Sequence, residues 1–150
     1  MGLFCLAVSG WADTAEAFDR SARPLGLGLA VGSPTGVAAK YYVASHAAVQ
    51  ATLGIGWHGT GLHADYLYEL RELIGTRGEP FDLPVFFGAG IKASVRRFSP
   101  LMGLRIPLGA AMQLHRTPLE FQIEFAPVMY VDAGGPGAGA DMALSARYFF

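Results

Sequence analysis

The feature that most constrains this chain is an alternation of apolar with polar or small residues, which recurs through most of its length. A period of two residues is the period of a β-strand, whose successive side chains point to opposite faces. The clearest example is Leu119–Val131, where every second residue is apolar and Glu120, Gln122 and Glu124 stand between them. The pattern therefore predicts an all-β chain whose strands have one apolar and one polar face.

The same alternation predicts eight strands in a single domain, separated by segments rich in Gly, Pro, Ser and Thr that favour turns. The glycine-rich segment Gly134–Gly139 is interpreted as a flexible loop, and Glu72–Asp82 is the longest polar connection. The predicted strands are Leu25–Val31, Val37–Ala44, Ala48–Trp57, Leu62–Leu70, Val85–Arg97, Met102–His115, Leu119–Val131 and Asp141–Phe150.

Charged residues of both signs fall on the polar faces, and they are the candidate functional residues of the chain. Isolated buried charges are costly, so these groups are expected to form a network of ion pairs if the polar faces are enclosed. If Tyr130 stands opposite Asp141 in the last hairpin, Glu124 lies opposite Arg147. Five of the charges are basic and five are acidic: Lys40, Lys92, Arg96, Arg105, Arg147, Asp65, Glu69, Glu120, Glu124 and Asp141.

Glycines indicate which face is enclosed. A water-exposed face does not require small residues, whereas the inside of a narrow barrel does, because eight strands leave space only for side chains. We therefore expect the polar face to point inward and the apolar face to point towards lipid. A soluble lipocalin-like barrel is the alternative. The glycines on the polar face are Gly26, Gly28, Gly54, Gly56, Gly88, Gly90, Gly103 and Gly109.

Composition favours a membrane protein that has no membrane helix. Apolar residues make up 52% of the chain and charged residues only 15%, which is below the usual charged fraction of about 25%. The longest uncharged stretch, Tyr41–Ala64, contains three histidines and four glycines and would make a poor spanning helix. The other structure that spans lipid is a closed barrel. The predicted fold is therefore an eight-stranded antiparallel up-and-down transmembrane β-barrel over residues 25–150.

Several classes of function are excluded or disfavoured. The net charge of −1 provides no basic field for nucleic acid, and the single cysteine, Cys5, excludes a disulfide framework. Ser94, His63 and Asp65 are a conceivable nucleophilic set, because all three lie on polar faces. Polar lumens offer such trios by chance, so His63 and Asp65 are assigned to the packing network. No catalytic residue, cofactor or metal site is predicted.

The first 17 residues are predicted to be a partial signal peptide. The apolar run Leu3–Val8 precedes Ala15-Glu16-Ala17, which fits an A-x-A cleavage site, but no basic residue precedes Arg20. Residues 18–24 then form a periplasmic N-terminal segment. An ordinary chain terminus and a short amphipathic helix over Trp11–Ala22 are the alternatives.

The last ten residues resemble the C-terminal strand of bacterial outer-membrane barrels, which ends in Phe and carries apolar or aromatic residues at alternate positions before it. Tyr148 and Phe150 match this signature. The resemblance implies that the barrel-assembly machinery reads this strand. Other segments are similar to a family of small OmpA-like outer-membrane barrels first noted in spirochaetes: Gly32–Tyr42, Leu62–Tyr68, Leu83–Gly88, Gly103–Gly109 and Pro118–Pro127.

This resemblance covers about Gly26 to Phe150 and implies a porin-like protein of a Gram-negative outer membrane with both chain ends in the periplasm. The implied partners are outer-membrane lipid and the assembly machinery. The family carries no agreed enzymatic activity, so the expected role is structural or surface-binding, with an extracellular ligand that the sequence does not identify. A narrow low-conductance channel and a lipid-modifying barrel enzyme are the alternatives.

Overall fold

The computed structural model describes residues 22–57, 59–75, 77–96 and 99–150, and their regular structure is entirely β-strand. Ten antiparallel strands form one sheet. No helix in these ranges is long and apolar enough to cross a membrane. The predicted signal peptide lies outside the described residues. The strands are β1 (Leu25–Gly32), β2 (Thr35–Ala44), β3 (Ala47–Gly56), β4 (Gly59–Leu70), β5 (Phe81–Asp82), β6 (Val85–Arg96), β7 (Ser99–Arg105), β8 (Leu108–Leu114), β9 (Leu119–Asp132) and β10 (Gly135–Phe149).

The sheet closes on itself, because β10 pairs with β9 on one side and with β1 on the other. The ring contains eight strand positions, since β5 and β6 share one position and β7 and β8 share another. β5 and β6 both pair with β8 in the same register, interrupted at Leu83-Pro84. β7 and β8 both pair with β9 in the same register, interrupted at Ile106-Pro107. Proline has no backbone N–H to donate to the ladder, which explains both interruptions.

The strands of the ring are strongly staggered. Residue partners followed once around the ring from Leu119 return to β9 at Met129, ten residues farther along. At about 3.3 Å per residue and about 4.8 Å between strands, this stagger corresponds to a strand tilt of about 40° from the ring axis. The path runs through Leu119, Tyr148, Leu27, Ala39, Ala51, Ala64, Ile91, Leu104 and Met129.

The polar faces of the strands line the inside of the ring, and the apolar faces form its outer surface. Lys40, Glu120 and Arg105 are at most 1% exposed, whereas Leu29, Leu104 and Met129 are 65–69% exposed. The two ends of the ring differ. We call one the terminal end, because it holds the start of β1, the end of β10 and the β2–β3, β4–β5 and β8–β9 connections. The opposite end, which we call the hairpin end, holds the β1–β2, β3–β4, β6–β7 and β9–β10 connections.

The last hairpin corrects two predictions. Its turn is Ala133-Gly134, and β10 begins at Gly135, so the segment predicted as a flexible loop is mostly strand. The Gly134 N–H donates to Asp132 Oδ1 at 2.7 Å, and Gly135 has φ +109°, a conformation that glycine adopts readily. This early turn shifts the register by four residues from the predicted one.

In the observed register Arg147 stands opposite Glu120 instead of Glu124, and Asp141 stands opposite Ala126 instead of Tyr130. In the remaining predicted strands, the residues expected to share a face do lie on the same face of the sheet. Met102–His115 is interrupted at its Ile106-Pro107 step, and Arg97, the last residue of the fifth predicted strand, lies outside the described residues.

Candidate functional site

The inside of the ring holds three groups of hydrogen-bonded ionic side chains, stacked from the terminal end to the hairpin end. The group nearest the terminal end is built around two carboxylates, Glu69 and Glu120, which are fully buried. Lys40 Nζ lies 2.6 Å from Glu69 Oε1 and 3.1 Å from Glu120 Oε1, so one ammonium bridges both acids. The Tyr42 hydroxyl lies 2.7 Å from Glu69 Oε1 and 3.1 Å from Glu120 Oε2.

Two further donors contact Glu120. Gln113 Nε2 donates to Glu120 Oε2 at 2.8 Å, and Arg147 Nη1 donates to Glu120 Oε1 at 3.2 Å. Arg147 also donates to the side-chain oxygens of Gln122 and Gln50. Arg147 therefore links this group to the next one, since both glutamines contact the middle carboxylates.

The middle group pairs Asp65 and Glu124 with Arg105. Arg105 Nη1 donates to Asp65 Oδ2 at 3.0 Å, and Nη2 donates to Glu124 Oε1 at 2.5 Å. Gln50 Nε2 donates to both acids, at 2.9 Å to Asp65 Oδ2 and 2.5 Å to Glu124 Oε2. His63 Nδ1 lies 3.0 Å from Asp65 Oδ2. Charge-assisted bonds of this kind are the strong ones in a low-dielectric interior.

The third group lies towards the hairpin end and is smaller. Lys92 Nζ contacts both carboxylate oxygens of Asp141, at 2.7 and 2.8 Å. Ser33 Oγ donates to Asp141 Oδ1 at 3.2 Å, and the Tyr130 hydroxyl lies 3.5 Å from Lys92 Nζ. A cation and an anion thus neutralise each other within the ring.

Nine of the ten predicted charges lie inside the ring, and Arg96 does not. Arg96 is the last residue of β6, and its side chain is exposed at the hairpin end. A long cationic side chain at a strand end keeps its charge in water at little cost, whereas the enclosed volume nearby already holds a neutral pair. The structure therefore places Arg96 outside the three ionic groups.

A fifth basic residue in contact with the buried acids is Arg71, where the sequence predicted Arg96. Its side chain is 28% exposed, and Nη2 lies 3.1 Å from Glu69 Oε2. Arg71 has the same parity as Asp65 and Glu69, so continued alternation beyond Leu70 would have found it. The other polar residues of the network follow from the same rule, since they lie on polar faces: Tyr42, Gln50, His63, Gln113 and Gln122.

The residues weighed as a nucleophilic set are only partly assembled. His63 and Asp65 are hydrogen-bonded, and Ser94 is also buried. Within the described part of the chain, Ser94 makes no hydrogen bond to His63. Candidate ligand atoms of His63, Asp65 and Glu124 lie within 4.8 Å of one another, as metal ligands do. Arg105 donates to both carboxylates, so a guanidinium already supplies the positive charge at that point.

The interior is closely filled around these groups. Among the residues that border His63, Glu124 and Arg147 there is a cavity of about 10 Å³, which is room for about one water molecule. At the terminal end, the buried side chains of Leu67, Phe86 and Phe149 add apolar volume to the lumen.

Tyr148 and Phe150, the predicted assembly signal, lie on the outer side of the ring. Both side chains are exposed, and their rings contact each other edge to face with centroids 5.1 Å apart. Phe149 between them points inward and contacts Tyr42, with ring centroids 5.6 Å apart.

Comparison of the chain with protein-family models, curated proteins and solved structures finds no match.

Proposed function

We propose that this chain is an eight-stranded transmembrane β-barrel of a bacterial outer membrane, with a structural or surface-binding role and no catalytic one. The observation that carries the proposal is the inverted distribution of polarity, with charges inside the ring and large apolar side chains outside it. Leaving a large apolar side chain in water instead of burying it costs about 1.5–3 kcal/mol. The outer surface repeats that cost on every strand, so lipid is the solvent that suits it.

The height of the apolar surface supports the same proposal. On β9 the outward side chains from Phe121 to Val131 are all exposed. At about 3.3 Å per residue and a tilt of about 40°, they span about 25 Å along the ring axis, which is the height of the apolar band of transmembrane barrels. A soluble barrel has no reason to expose large apolar side chains around the whole ring.

Exposed tyrosines also gather at one level. Tyr41, Tyr66, Tyr68 and Tyr148 point outward, and each lies within the last five residues of a strand that ends at the terminal end. Amphipathic aromatic rings favour the interface between hydrocarbon and headgroups. Their position supports placing the terminal end at a membrane–water boundary.

The filled interior supports a structural role over a wide pore. The four connections at the hairpin end are short, which favours a compact rim over a large adhesive crown. The resemblance to OmpA-like barrels adds the assembly machinery and outer-membrane lipid as proposed partners. It also assigns the terminal end to the periplasm.

Gel migration in detergent tests the proposal. A folded transmembrane barrel is expected to migrate faster before boiling than after it, and the native protein is expected in the outer-membrane fraction. Ser substitution of Leu29, Leu104 and Met129 provides a comparison, because it makes the outer surface more polar. A wild-type chain that remains folded, monodisperse and soluble without detergent contradicts the proposal.

A further inference from the structure

A cavity at the terminal end borders the ionic interior at Glu69 and Arg71. It measures about 270 Å³ and opens between the β2–β3 turn and the chain that follows β4. Its lining mixes cationic, acidic, aromatic and apolar side chains, a combination that suits a ligand with a charged head and an apolar tail. The lining residues are His46, Tyr68, Glu69, Leu70, Arg71, Glu72 and Leu73.

His46 is held in a fixed orientation at this cavity. Its Nδ1 lies 3.2 Å from the Glu69 carbonyl oxygen, and the Glu69 N–H donates to the His46 carbonyl at 2.7 Å. Its ring stacks on Tyr68, with centroids 6.1 Å apart. A carbonyl oxygen only accepts, so Nδ1 is the donor in this contact, and Nε2 is the ring nitrogen that remains for a ligand; in an imidazolium both ring nitrogens are donors.

One edge of the Arg71 guanidinium is held by its neighbours, and the group has further N–H donors. Its Nη2 donates to Glu69 Oε2 at 3.1 Å, and its Cζ lies 5.6 Å from the centre of the Tyr42 ring. Its Nε is buried and has no hydrogen-bond partner. The Arg71 side chain lines the cavity and is 28% exposed, and guanidinium groups match phosphate oxygens in geometry.

We propose that this cavity binds a phospholipid headgroup, with the phosphate held by Arg71 and His46. Glu72 supplies an acceptor for a headgroup amine, so phosphoethanolamine fits the lining better than phosphate alone. Leu70 and Tyr68 are exposed on the apolar outer surface, where an acyl chain attached to that headgroup would lie. The inference rests on the proposed function, because it requires the terminal end to lie at headgroup depth.

Native mass spectrometry of the full chain in detergent micelles tests the site. The probes are phosphatidylethanolamine and a diacylglycerol with the same acyl chains, which lacks the phosphate. Arg71→Gln or His46→Gln is expected to weaken retention of the phospholipid by about tenfold, the loss expected when a charge-assisted hydrogen bond is removed. Diacylglycerol is expected to dissociate from every variant.

Arg116→Gln is the matched control. Arg116 is an exposed arginine in the β8–β9 connection at the same end of the ring, outside the cavity lining, so its loss changes the same charge without changing the site. Retention by this variant is expected to equal that of wild type. If Arg71→Gln fails to fold, His46→Gln carries the test, because a glutamine amide can still donate to the Glu69 carbonyl.

Two results overturn the inference. Equal phospholipid retention by wild type, Arg71→Gln and His46→Gln excludes the site. Displacement of the phospholipid by millimolar inorganic phosphate identifies a free anion as the occupant and removes the assignment to lipid. Heat-modifiable migration of the same samples reports the proposed function separately, so a folded barrel that retains no lipid loses only this site.

Discussion

At the scale of single residues, substitution of Glu120 tests how much the ionic interior contributes to the free energy of unfolding. Its carboxylate is fully buried and accepts hydrogen bonds from Lys40, Tyr42, Gln113 and Arg147. Glu120→Ala leaves two enclosed cations undercompensated, and removing one partner of a buried pair costs about 3–5 kcal/mol. We expect a loss of that size in the free energy of unfolding, measured by urea titration of the protein folded in lipid vesicles.

Glu79→Ala is the control for this prediction, because Glu79 is an exposed carboxylate outside the ring. Its effect is expected to stay within about 0.5 kcal/mol, as for most surface substitutions. The double variant Lys40→Met with Glu120→Gln is expected to lose less than the sum of the two single changes, since paired charges are removed together. Equal stability of the Glu120→Ala and Glu79→Ala variants contradicts the role given to the network.

At the scale of strands, parity was predictable from sequence and register was not. Parity follows from a period of two, which any stretch such as Leu119–Val131 displays by itself. Register depends on where a hairpin turns, and the run Gly134–Gly139 is compatible with loop or strand until the Asp132–Gly134 hydrogen bond is known. Arg96 illustrates the same limit, because its depth depends on the stagger of the whole ring.

The middle and the end of β6 offer a matched test of the membrane. Ile91 and Val95 are both β-branched, outward-facing and 60% and 55% exposed, so in water an arginine at either position would be nearly neutral. In a bilayer, Ile91→Arg is expected to cost about 2–4 kcal/mol and Val95→Arg about 0–1 kcal/mol, because Val95 lies near the hairpin end. Unfolding titrations in vesicles measure both.

The depth dependence is what makes this comparison decisive. Two equal, small effects would indicate that the outer surface faces water, and two equal, large effects would indicate a structural cost unrelated to lipid. Serine at the same two positions controls for the loss of the apolar side chain, since serine carries no charge.

At the scale of the whole molecule, several charge pairs could not be read from any strand or any neighbouring pair of strands, although Arg147 and Glu120 face each other on β10 and β9. Lys40 lies on β2 and meets Glu69 on β4 and Glu120 on β9, so the contacts cross the enclosed space. An enclosed interior requires nearly equal numbers of acids and bases, and that balance was visible in the sequence. Which acid meets which base depends on the stagger of ten residues, a property of the closed ring alone.

The filled interior of the closed ring predicts a low ion conductance. Three stacked ionic groups and the buried rings of Phe86 and Phe149 occupy the interior, so we expect ions to cross it poorly. Wild type in a planar bilayer is expected to show no current steps above background. Lys92→Ser with Asp141→Ser removes one neutral pair and should remain closed, because the middle and terminal groups are intact. Discrete steps in wild type favour the narrow-channel alternative, since a path for ions must then run beside Arg105 and Glu124.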